Sequence, residues 1–276
     1  MNSNKVTSKL LKGCVYLSAI ITFGVLFLLV GYILVKGVPH LTPDLFSLKY
    51  NSENLSLVPS LINTIITTLL ALLLAVPIGI GSAIYLVEYA KRGNKIVGLI
   101  RLTAETLSGI PSIVYGLFGM LFFVTKLGMD LSLLAGSMTL AIMVLPLVMR
   151  TTEEALQAVP DSFREGSFGL GAGRLRTVVR IVLPAAVPGI LSGVILAIGR
   201  IVGETAALIY TAGTATDTVK SVMDSGRTLS VHMYTISSEG LNTDKSYATA
   251  VVLLVIVLGI NWISAFVAKR LSAKTK

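Results

Sequence analysis

The sequence has few charged residues for its length. Charged side chains make up 13% of the 276 residues, whereas a soluble globular domain usually carries about 25%. Hydrophobic residues make up 54% of the chain, and its mean hydropathy is +0.82. The apolar residues are gathered into long runs rather than spread evenly. The shortage of charge therefore argues against an ordinary soluble domain and indicates a protein of the lipid bilayer.

Cysteine and histidine are scarce as well. Cys14 is the single cysteine in the sequence, so the chain cannot form an internal disulfide or a thiolate metal cluster. His40 and His232 are far apart and have no ligand-like neighbours, and we therefore predict no metal site. The pattern G-x-x-x-x-G-K-[ST] is also absent, so we expect this chain not to bind ATP through a P-loop.

Six apolar runs are long enough to cross a membrane as helices, which requires roughly 17–25 residues. They cover residues 13–35, 58–86, 107–125, 131–149, 185–210 and 247–268. The first run follows three lysines and resembles a signal peptide, but it is longer than a signal core and no cleavage pattern follows it. We interpret it as a retained helix and predict an all-α integral membrane protein with about six spans.

The distribution of basic residues predicts the orientation of the chain. The formal net charge is +9 and the pI is about 9.7, a balance that in a soluble protein would suggest nucleic-acid binding. Here the segments on the side of the N-terminus hold 16 Lys and Arg residues, and the opposite segments hold 6. Because cytoplasmic loops are enriched in Lys and Arg, we predict both termini in the cytoplasm and no nucleic-acid partner.

The predicted cytoplasmic connection 150–183 contains helical signals of its own. Ser162 and Glu165 are spaced as a capping box, and Gly171 follows the expected helix 163–170 as a terminating glycine. Basic and apolar residues in 174–182 indicate an amphipathic helix near the membrane surface. The residues alone leave open whether this helical hairpin has a partner.

The same connection resembles the loop of ABC importer permeases that docks on the ATPase. The family pattern reads E-A-A, three residues, G, nine residues, I-x-L-P. This chain has Glu165-Gly166-Ser167, then Gly171, then Ile181-Val182-Leu183-Pro184 at the same spacing. Small residues replace both alanines, so close docking is preserved. The resemblance implies the type I importer permease fold and an ATPase-docking role for Glu165, Gly171, Ile181, Leu183 and Pro184.

Further stretches resemble the phosphate permeases within this family. They are Gly109-Ile110-Pro111-Ser112-Ile113-Val114-Tyr115-Gly116, Leu145-Pro146 with Arg150-Thr151-Thr152-Glu153-Glu154-Ala155-Leu156, and Arg200-Ile201-Val202-Gly203-Glu204-Thr205-Ala206. The stretch from Tyr210 to Tyr234 is more similar to the A-type than to the C-type phosphate permease.

This resemblance implies a phosphate permease subunit of the bacterial plasma membrane, surrounded by membrane lipid. Its implied partners are a homologous C-type permease, a dimer of ATP-binding subunits and an extracytoplasmic phosphate-binding protein. The ATP would be used by the partner ATPase, so we expect this chain to bind no cofactor and to catalyse no reaction itself.

Arg200 and Glu204 stand out because they lie within a predicted span. A charge at mid-bilayer costs at least about 2.5–3.5 kcal/mol, so such side chains face protein or water and have partners. The two residues are four apart and could form a static ion pair on one helical face, or Arg200 could contact phosphate transiently through its guanidinium. The resemblance implies that Arg150 and Arg200 belong to the phosphate path, although Arg150 could also mark a cytoplasmic helix end.

The expected organisation has three parts. Residues 1–57 form a first span and an external loop, 58–268 form a five-helix transporter core with the coupling loop 150–184, and 269–276 form a cytoplasmic tail. A stripe of small residues in the fifth span could pack within the chain or against a partner; it comprises Ala185, Gly189, Gly193 and Ala197.

Alternative functions are a related importer for another oxyanion or small solute, a membrane enzyme, or a channel.

Overall fold

A computed structural model describes residues 2–91 and 93–274, and this part of the chain contains helices and turns but no strand. Eleven α-helices are assigned within it: α1 (Asn2–Gly37), α2 (Val58–Ile84), α3 (Lys95–Ser108), α4 (Ser112–Gly119), α5 (Leu133–Gln157), α6 (Asp161–Gly169), α7 (Arg174–Thr177), α8 (Leu183–Val202), α9 (Ala206–Thr211), α10 (Leu229–Glu239) and α11 (Thr243–Lys274). Wider π-type turns extend three of them, at Tyr85–Tyr89 after α2, at Met120–Lys126 after α4 and at Val178–Val182 between α7 and α8.

The number of membrane spans agrees with the sequence prediction. Within the described residues, five helices are long and apolar enough to cross a bilayer, and the total is six if a bent pair of helices counts as one broken span. The bent pair is Lys95–Ser108 with Ser112–Lys126, whose axes differ in direction by 100°. The all-α membrane architecture is therefore confirmed.

The third predicted span, 107–125, is wrong as a single straight helix. Its first residues belong to the end of α3, and the chain turns sharply through Gly109, Ile110 and Pro111 before α4 begins. Proline has no N–H to continue the helical ladder, and it disfavours a helical conformation at the residue before it. The sequence Gly-Ile-Pro thus ends α3 and lets the chain restart in a new direction.

The core is built around α5, which packs against α2 on one side and α8 on another. Small side chains make the close approaches possible. On α2, Ala71 and Ala75 are buried, and a Cβ placed on Gly79 would lie 2.9 Å from Cγ1 of Val148. In lipid, no hydrophobic effect drives helices together, because the acyl chains are themselves apolar. Tight van der Waals packing of this kind is therefore a main source of helix association.

The small-residue stripe of the fifth span packs within the chain. A Cβ on Gly189 would lie 2.6 Å from Cβ of Ala155, and one on Gly193 would lie 2.6 Å from Cβ of Thr151. Both partners are on α5, and Ala197 is fully buried in the same core. The structure thus assigns the middle of this stripe to the α5–α8 contact.

The first span lies apart from this core. Most large apolar side chains of α1 are more than half exposed, including Val15, Phe27 and Val35. Its end contacts α11, where a Cβ on Gly37 would lie 2.6 Å from Val251. The predicted division into 1–57 and a five-helix core remains a prediction, although the exposure of α1 is consistent with it.

The long connection after α9 folds back onto the start of α2. Asn63 on α2 donates hydrogen bonds from Nδ2 to the backbone oxygens of Asp217 and Arg227, each at 3.3 Å, and the Leu229 N–H donates to Oγ1 of Thr64 at 2.8 Å. These bonds satisfy backbone groups that would otherwise be buried without partners. The connection is therefore an ordered part of the fold, and it contains α10.

Two basic side chains are buried in this connection. The Arg227 side chain, with only 3% of its residue surface exposed, stacks over Tyr50 with its guanidinium carbon 4.7 Å from the ring centroid. His232 is fully buried, and its ring meets Tyr50 edge to face. Burial lowers the pKa of His232 to about 3, with the positive charge of Arg227 acting in the same direction. The imidazole is accordingly neutral at physiological pH.

Candidate coupling surface and translocation site

The coupling loop contains a short helix, α6, which is followed by a glycine in the left-handed backbone conformation. After α6, Gly171 adopts φ +81°, a conformation that residues with a Cβ rarely adopt. Its N–H donates to the Phe168 carbonyl at 2.9 Å, and the Ala172 N–H donates to the Ser167 carbonyl at 3.1 Å. This pair of bonds is a Schellman motif, and it confirms that Gly171 terminates the helix.

The predicted capping box at the start of this helix is wrong. The helix begins at Asp161 with Pro160 as its N-cap residue, so Ser162 already lies inside the first turn. The Phe163 N–H donates to the Pro160 carbonyl instead of to a side chain. Proline presets its own φ near the helical value, and the helix starts two residues earlier than the Ser162–Glu165 spacing indicated. Glu165 is exposed on the outer surface of α6.

Apolar side chains project from the coupling loop. Phe163 is 53% exposed, Phe168 is 45% exposed and Leu170 is 91% exposed. A cavity of about 380 Å³ lies between Phe163, Leu170 and Ile181. Exposed apolar groups clustered on a loop are typical of a protein-docking surface.

Arg164 fixes this loop to the transmembrane core. Its Nη2 donates to Oε1 of Glu88 at 2.7 Å and to the Leu156 carbonyl at 2.9 Å, and its Nη1 donates to the Val159 carbonyl at 2.7 Å. The Arg164 side chain is 14% exposed and that of Glu88 only 7%. Glu88 lies in the π-type turn that ends the second span. The ion pair thus joins the coupling loop directly to that span.

A second ion pair strengthens the same region. Arg101 on α3 forms an ion pair with Glu153 on α5, with an Nη2–Oε1 distance of 2.6 Å. The sequence interpretation treated Arg101 and Arg164 only as markers of orientation and missed both ties. A signal for these two ion pairs was present in the sequence. Glu88 and Glu153 are acidic residues in apolar or helix-ending stretches, where a carboxylate requires a basic partner.

The second half of the coupling pattern belongs to a long helix. Residues Arg174–Val202 form one continuous helix of 29 residues that includes Ile181, Leu183 and Pro184. The predicted surface helix 174–182 is therefore wrong as a separate element, because its helical bonds run directly into the span. Val182 is fully buried, whereas Ile181 is 38% exposed and Pro184 is exposed.

Arg200 and Glu204 do not share a helical face, contrary to the sequence prediction. The helix ends at Val202, Gly203 follows as its C-cap residue, and Glu204 lies beyond it. Glu204 Oε1 accepts a hydrogen bond from the Ala207 N–H at 3.1 Å and so caps the start of α9. Among the described residues no carboxylate lies within 4.0 Å of the Arg200 guanidinium. The predicted static ion pair is therefore not formed.

The fifth span ends at Val202, eight residues earlier than predicted. The interval 185–210 contains a break at Gly203, Glu204 and Thr205, after which α9 resumes for six residues. This break lies near the break between α3 and α4, since a Cβ on Gly116 would lie 2.8 Å from Cα of Ala207. Interrupted helices within a membrane are tolerated where they are buried in protein or line a cavity, and transporter binding sites are often built from them.

Arg150 lies within α5 rather than at its end, since the helix continues to Gln157. Its Nε donates to Glu154 at 3.4 Å and its Nη1 lies 3.9 Å from Glu105. The Gly193–Thr151 and Gly189–Ala155 contacts show that α5 and α8 run antiparallel. With a rise of about 1.5 Å per residue, Arg200 lies about 9 Å farther from the coupling loop than Arg150. The two arginines are thus at different depths.

These features define a membrane-embedded helical bundle. Its coupling loop is anchored to the core and exposes apolar side chains on its surface. The chain matches the family described as "Binding-protein-dependent transport system inner membrane component" over residues 75–275. It belongs to this family of multi-pass ABC importer permeases.

Individual relatives and a solved structure agree with that assignment. The chain is 32% identical to the "Probable ABC transporter permease protein YqgI" of Bacillus subtilis, over 98% of this chain and 99% of the relative. It is 35% identical to the "Phosphate transport system permease protein PstA" of Haemophilus influenzae, over 75% of this chain and 74% of the relative. A bacterial alginate ABC transporter has the same fold, with a TM-score of 0.68, 15% identity, and coverage of 94% of this chain and 95% of that chain.

Proposed function

We propose that this chain is the A-type permease subunit of an ATP-driven phosphate importer. The observation that carries the proposal is the coupling loop, in which an anchored helix carries the first part of the importer pattern and presents exposed apolar side chains beside it, at Phe163, Phe168 and Leu170. The similarity to PstA over three quarters of the chain supports phosphate as the substrate.

The proposed assembly places this chain beside a homologous C-type permease, with a dimer of ATP-binding subunits at the coupling loop. An extracytoplasmic phosphate-binding protein delivers the substrate from the other side. The partner ATPase uses the ATP, and Glu165, Gly171, Ile181, Leu183 and Pro184 contribute to its docking surface. The exposed positions of Glu165 and Ile181 support this role.

The proposed orientation places both termini and the coupling loop in the cytoplasm of a bacterial cell, with the chain in the plasma membrane. The bias of Lys and Arg toward that side supports it. A reporter fused after Lys276 should be active only in the cytoplasm. A reporter that is active outside the cell would contradict this orientation.

In the proposed path, Arg200 and Arg150 meet phosphate in succession at two depths. Arg200 is half-buried near two helix breaks, and it has no carboxylate neighbour among the described residues that would compete with an anion. A guanidinium can bond two phosphate oxygens at once. Glu204 contributes by capping α9 rather than by pairing with Arg200.

The experiment is uptake of labelled phosphate by proteoliposomes that contain this chain with its partner permease, ATPase and binding protein. We expect ATP-dependent phosphate uptake that excess sulfate does not inhibit. Uptake of sulfate or another oxyanion in place of phosphate would favour the related-importer alternative. Solute movement without any ATP requirement would contradict the importer assignment and favour a channel.

A further inference from the structure

Arg227, in the connection after α9, is a buried cation without an internal counter-charge. Only 3% of its residue surface is exposed, and among the described residues no carboxylate lies within 4.0 Å of its guanidinium. Its Nε and Nη2 atoms are both buried, and neither has a hydrogen-bond partner in the described part of the chain. A charge removed from water carries a large desolvation penalty unless it is paired and hydrogen-bonded. The environment of Arg227 therefore calls for a negative partner.

The contact between Arg227 and Tyr50 does not satisfy these two atoms. The guanidinium carbon lies over the Tyr50 ring, 4.7 Å from the ring centroid. Such a contact acts through the negative face of the ring, whereas the guanidinium N–H groups are directed outward in their own plane. Nε and Nη2 form one edge of that planar fork, and the fork is the arrangement with which arginine binds anionic groups. The unpaired atoms are thus the pair best suited to an anion.

Two acidic side chains that border this connection are engaged elsewhere. Asp224 Oδ2 accepts the Ser221 N–H at 2.8 Å, and Glu204 Oε1 accepts the Ala207 N–H at 3.1 Å. In addition, α10 begins two residues after Arg227, and the N-terminus of a helix carries a partial positive charge. The local electrostatic potential is therefore positive, and no carboxylate of the described residues pairs with its source.

The cluster around Tyr50 carries a single positive charge. The second basic side chain there is His232, whose ring centroid lies 6.1 Å from that of Tyr50. Burial lowers the pKa of His232 to about 3, so the imidazole is neutral at physiological pH. A monovalent anion would balance Arg227 alone, whereas a divalent anion would leave an excess negative charge in a buried region. The expected ligand therefore has a charge of −1.

We propose that Arg227 binds one small monovalent inorganic anion, such as chloride, through its Nε and Nη2 groups. The anion stabilises the connection after α9 against α2, because the Arg227 carbonyl already accepts a hydrogen bond from Nδ2 of Asn63 at 3.3 Å. The ion is a structural component of the folded connection. The proposal does not rest on the proposed function or on the identity of the transported solute.

The first test is thermal unfolding of the purified transporter in chloride or in gluconate at constant ionic strength. Gluconate is too large for a site of this kind. We expect the unfolding temperature to rise with chloride concentration. By mass action, each tenfold increase of chloride well above its Kd shifts the unfolding equilibrium by about tenfold. Phosphate in place of chloride should not produce the same rise.

Arg227→Met removes the charge and keeps an unbranched apolar side chain. We expect the variant to lose the dependence on chloride and to be at least as stable as the parent protein in gluconate, because it has no unpaired buried cation. Lys220→Met is the matched control, since Lys220 is an exposed cation of the same connection. It should keep the full dependence on chloride.

A second measurement does not depend on how well the variant folds. Bromide can replace chloride and scatters X-rays anomalously, so crystals of the parent transporter grown in bromide should show an anomalous peak beside Nε and Nη2 of Arg227. Four results would overturn the proposal: no such peak, no effect of chloride on the parent protein, an equal effect on Arg227→Met, or stabilisation by phosphate but not by chloride. Transport plays no part in these readouts, so failure of the importer assignment would appear only in the uptake assay.

Discussion

The Arg164 guanidinium and the Glu88 carboxylate, 76 positions apart in the sequence, form a largely buried ion pair at 2.7 Å. Removing one partner of such a pair leaves an uncompensated buried charge, which costs about 3–5 kcal/mol. We expect Arg164→Ala to lower the thermal stability of the purified transporter and to uncouple ATP hydrolysis from uptake, because the docking loop loses its anchor.

The controls for this prediction use the same loop and the same pair. Arg176→Ala removes an exposed arginine and should leave stability and coupling unchanged. The double variant Glu88→Leu with Arg164→Met should recover stability but not coupling, since apolar groups can replace a buried pair without restoring its geometry. An Arg164→Ala variant as stable as the parent protein would contradict the anchoring role.

Gly171→Val should abolish transport while leaving the chain in the membrane. The residue has φ +81°, and a β-branched side chain in this conformation costs about 1–2 kcal/mol or more and distorts the end of α6. The measurement is phosphate uptake together with co-purification of the ATPase. Gly166→Ala is the control, because its Cβ meets no atom within 4 Å and it restores an alanine of the importer pattern. Normal uptake by Gly171→Val would remove this glycine from the docking surface.

Arg200→Met should assemble normally but fail to import phosphate. The change leaves no carboxylate unpaired among the described residues, so stability should be little affected. Arg200→Lys keeps the charge but loses the planar fork, and a partial loss is expected. Glu204→Gln retains an oxygen that can accept the Ala207 N–H, and it therefore tests the charge of Glu204 separately from its capping bond. Normal uptake by assembled Arg200→Met would exclude Arg200 from the path.

Gly193→Val should prevent the normal approach of α8 to α5. A Cβ at this position would lie 2.6 Å from Cβ of Thr151, and forcing extra volume into a packed core costs about 1–3 kcal/mol. The amount of folded, co-purified transporter should fall. Gly199→Ala, on the same helix with no atom within 4 Å of its Cβ, should be tolerated. Equal sensitivity of both positions would contradict this packing arrangement.

The stability of the connection after α9 should depend on pH through His232. Its folded-state pKa is about 3, below the ordinary value of 6.5. Between these values the unfolded chain binds the proton that the folded chain excludes, so stability rises with pH through this window and is complete above about 6.5. A single such proton changes the unfolding equilibrium by about tenfold per pH unit.

Thermal unfolding of the purified transporter between pH 4.5 and 7.5 checks this prediction. His232→Leu should reduce the loss of stability at acid pH, because no buried imidazole then has to gain a charge. Identical acid sensitivity in the variant and the parent protein would show that other groups control it.

Hydropathy located the membrane spans because burial in lipid depends on the average character of about twenty residues. It could not locate a break of three residues, and the apolar run through Ala206–Thr211 concealed the end of α8 at Val202. The Gly-Ile-Pro break was visible in the sequence as a helix-ending pattern, but local sequence does not specify the 100° change of direction that follows it.

The docking loop shows the same contrast between local and distant information. Gly171 could be assigned as a helix terminator because the Schellman motif is local. The Ser162–Glu165 box failed because Pro160, just outside it, started the helix earlier. Glu88 could have been recognised as an acidic residue that requires a basic partner, but its pairing with Arg164 follows no spacing rule, since only the tertiary fold brings the two residues together.

The continuous helix Arg174–Val202 has a mechanical consequence. At about 1.5 Å per residue its 29 residues extend about 43 Å, from the coupling loop to the break beside Glu204. Arg200 stands two residues from its far end. A tilt of only about 5° at the loop would displace that end by roughly 4 Å, by the same helical dimensions. In the proposed assembly this helix would serve as a lever arm, so that a small movement of a docked ATPase would reposition Arg200 without any intervening element.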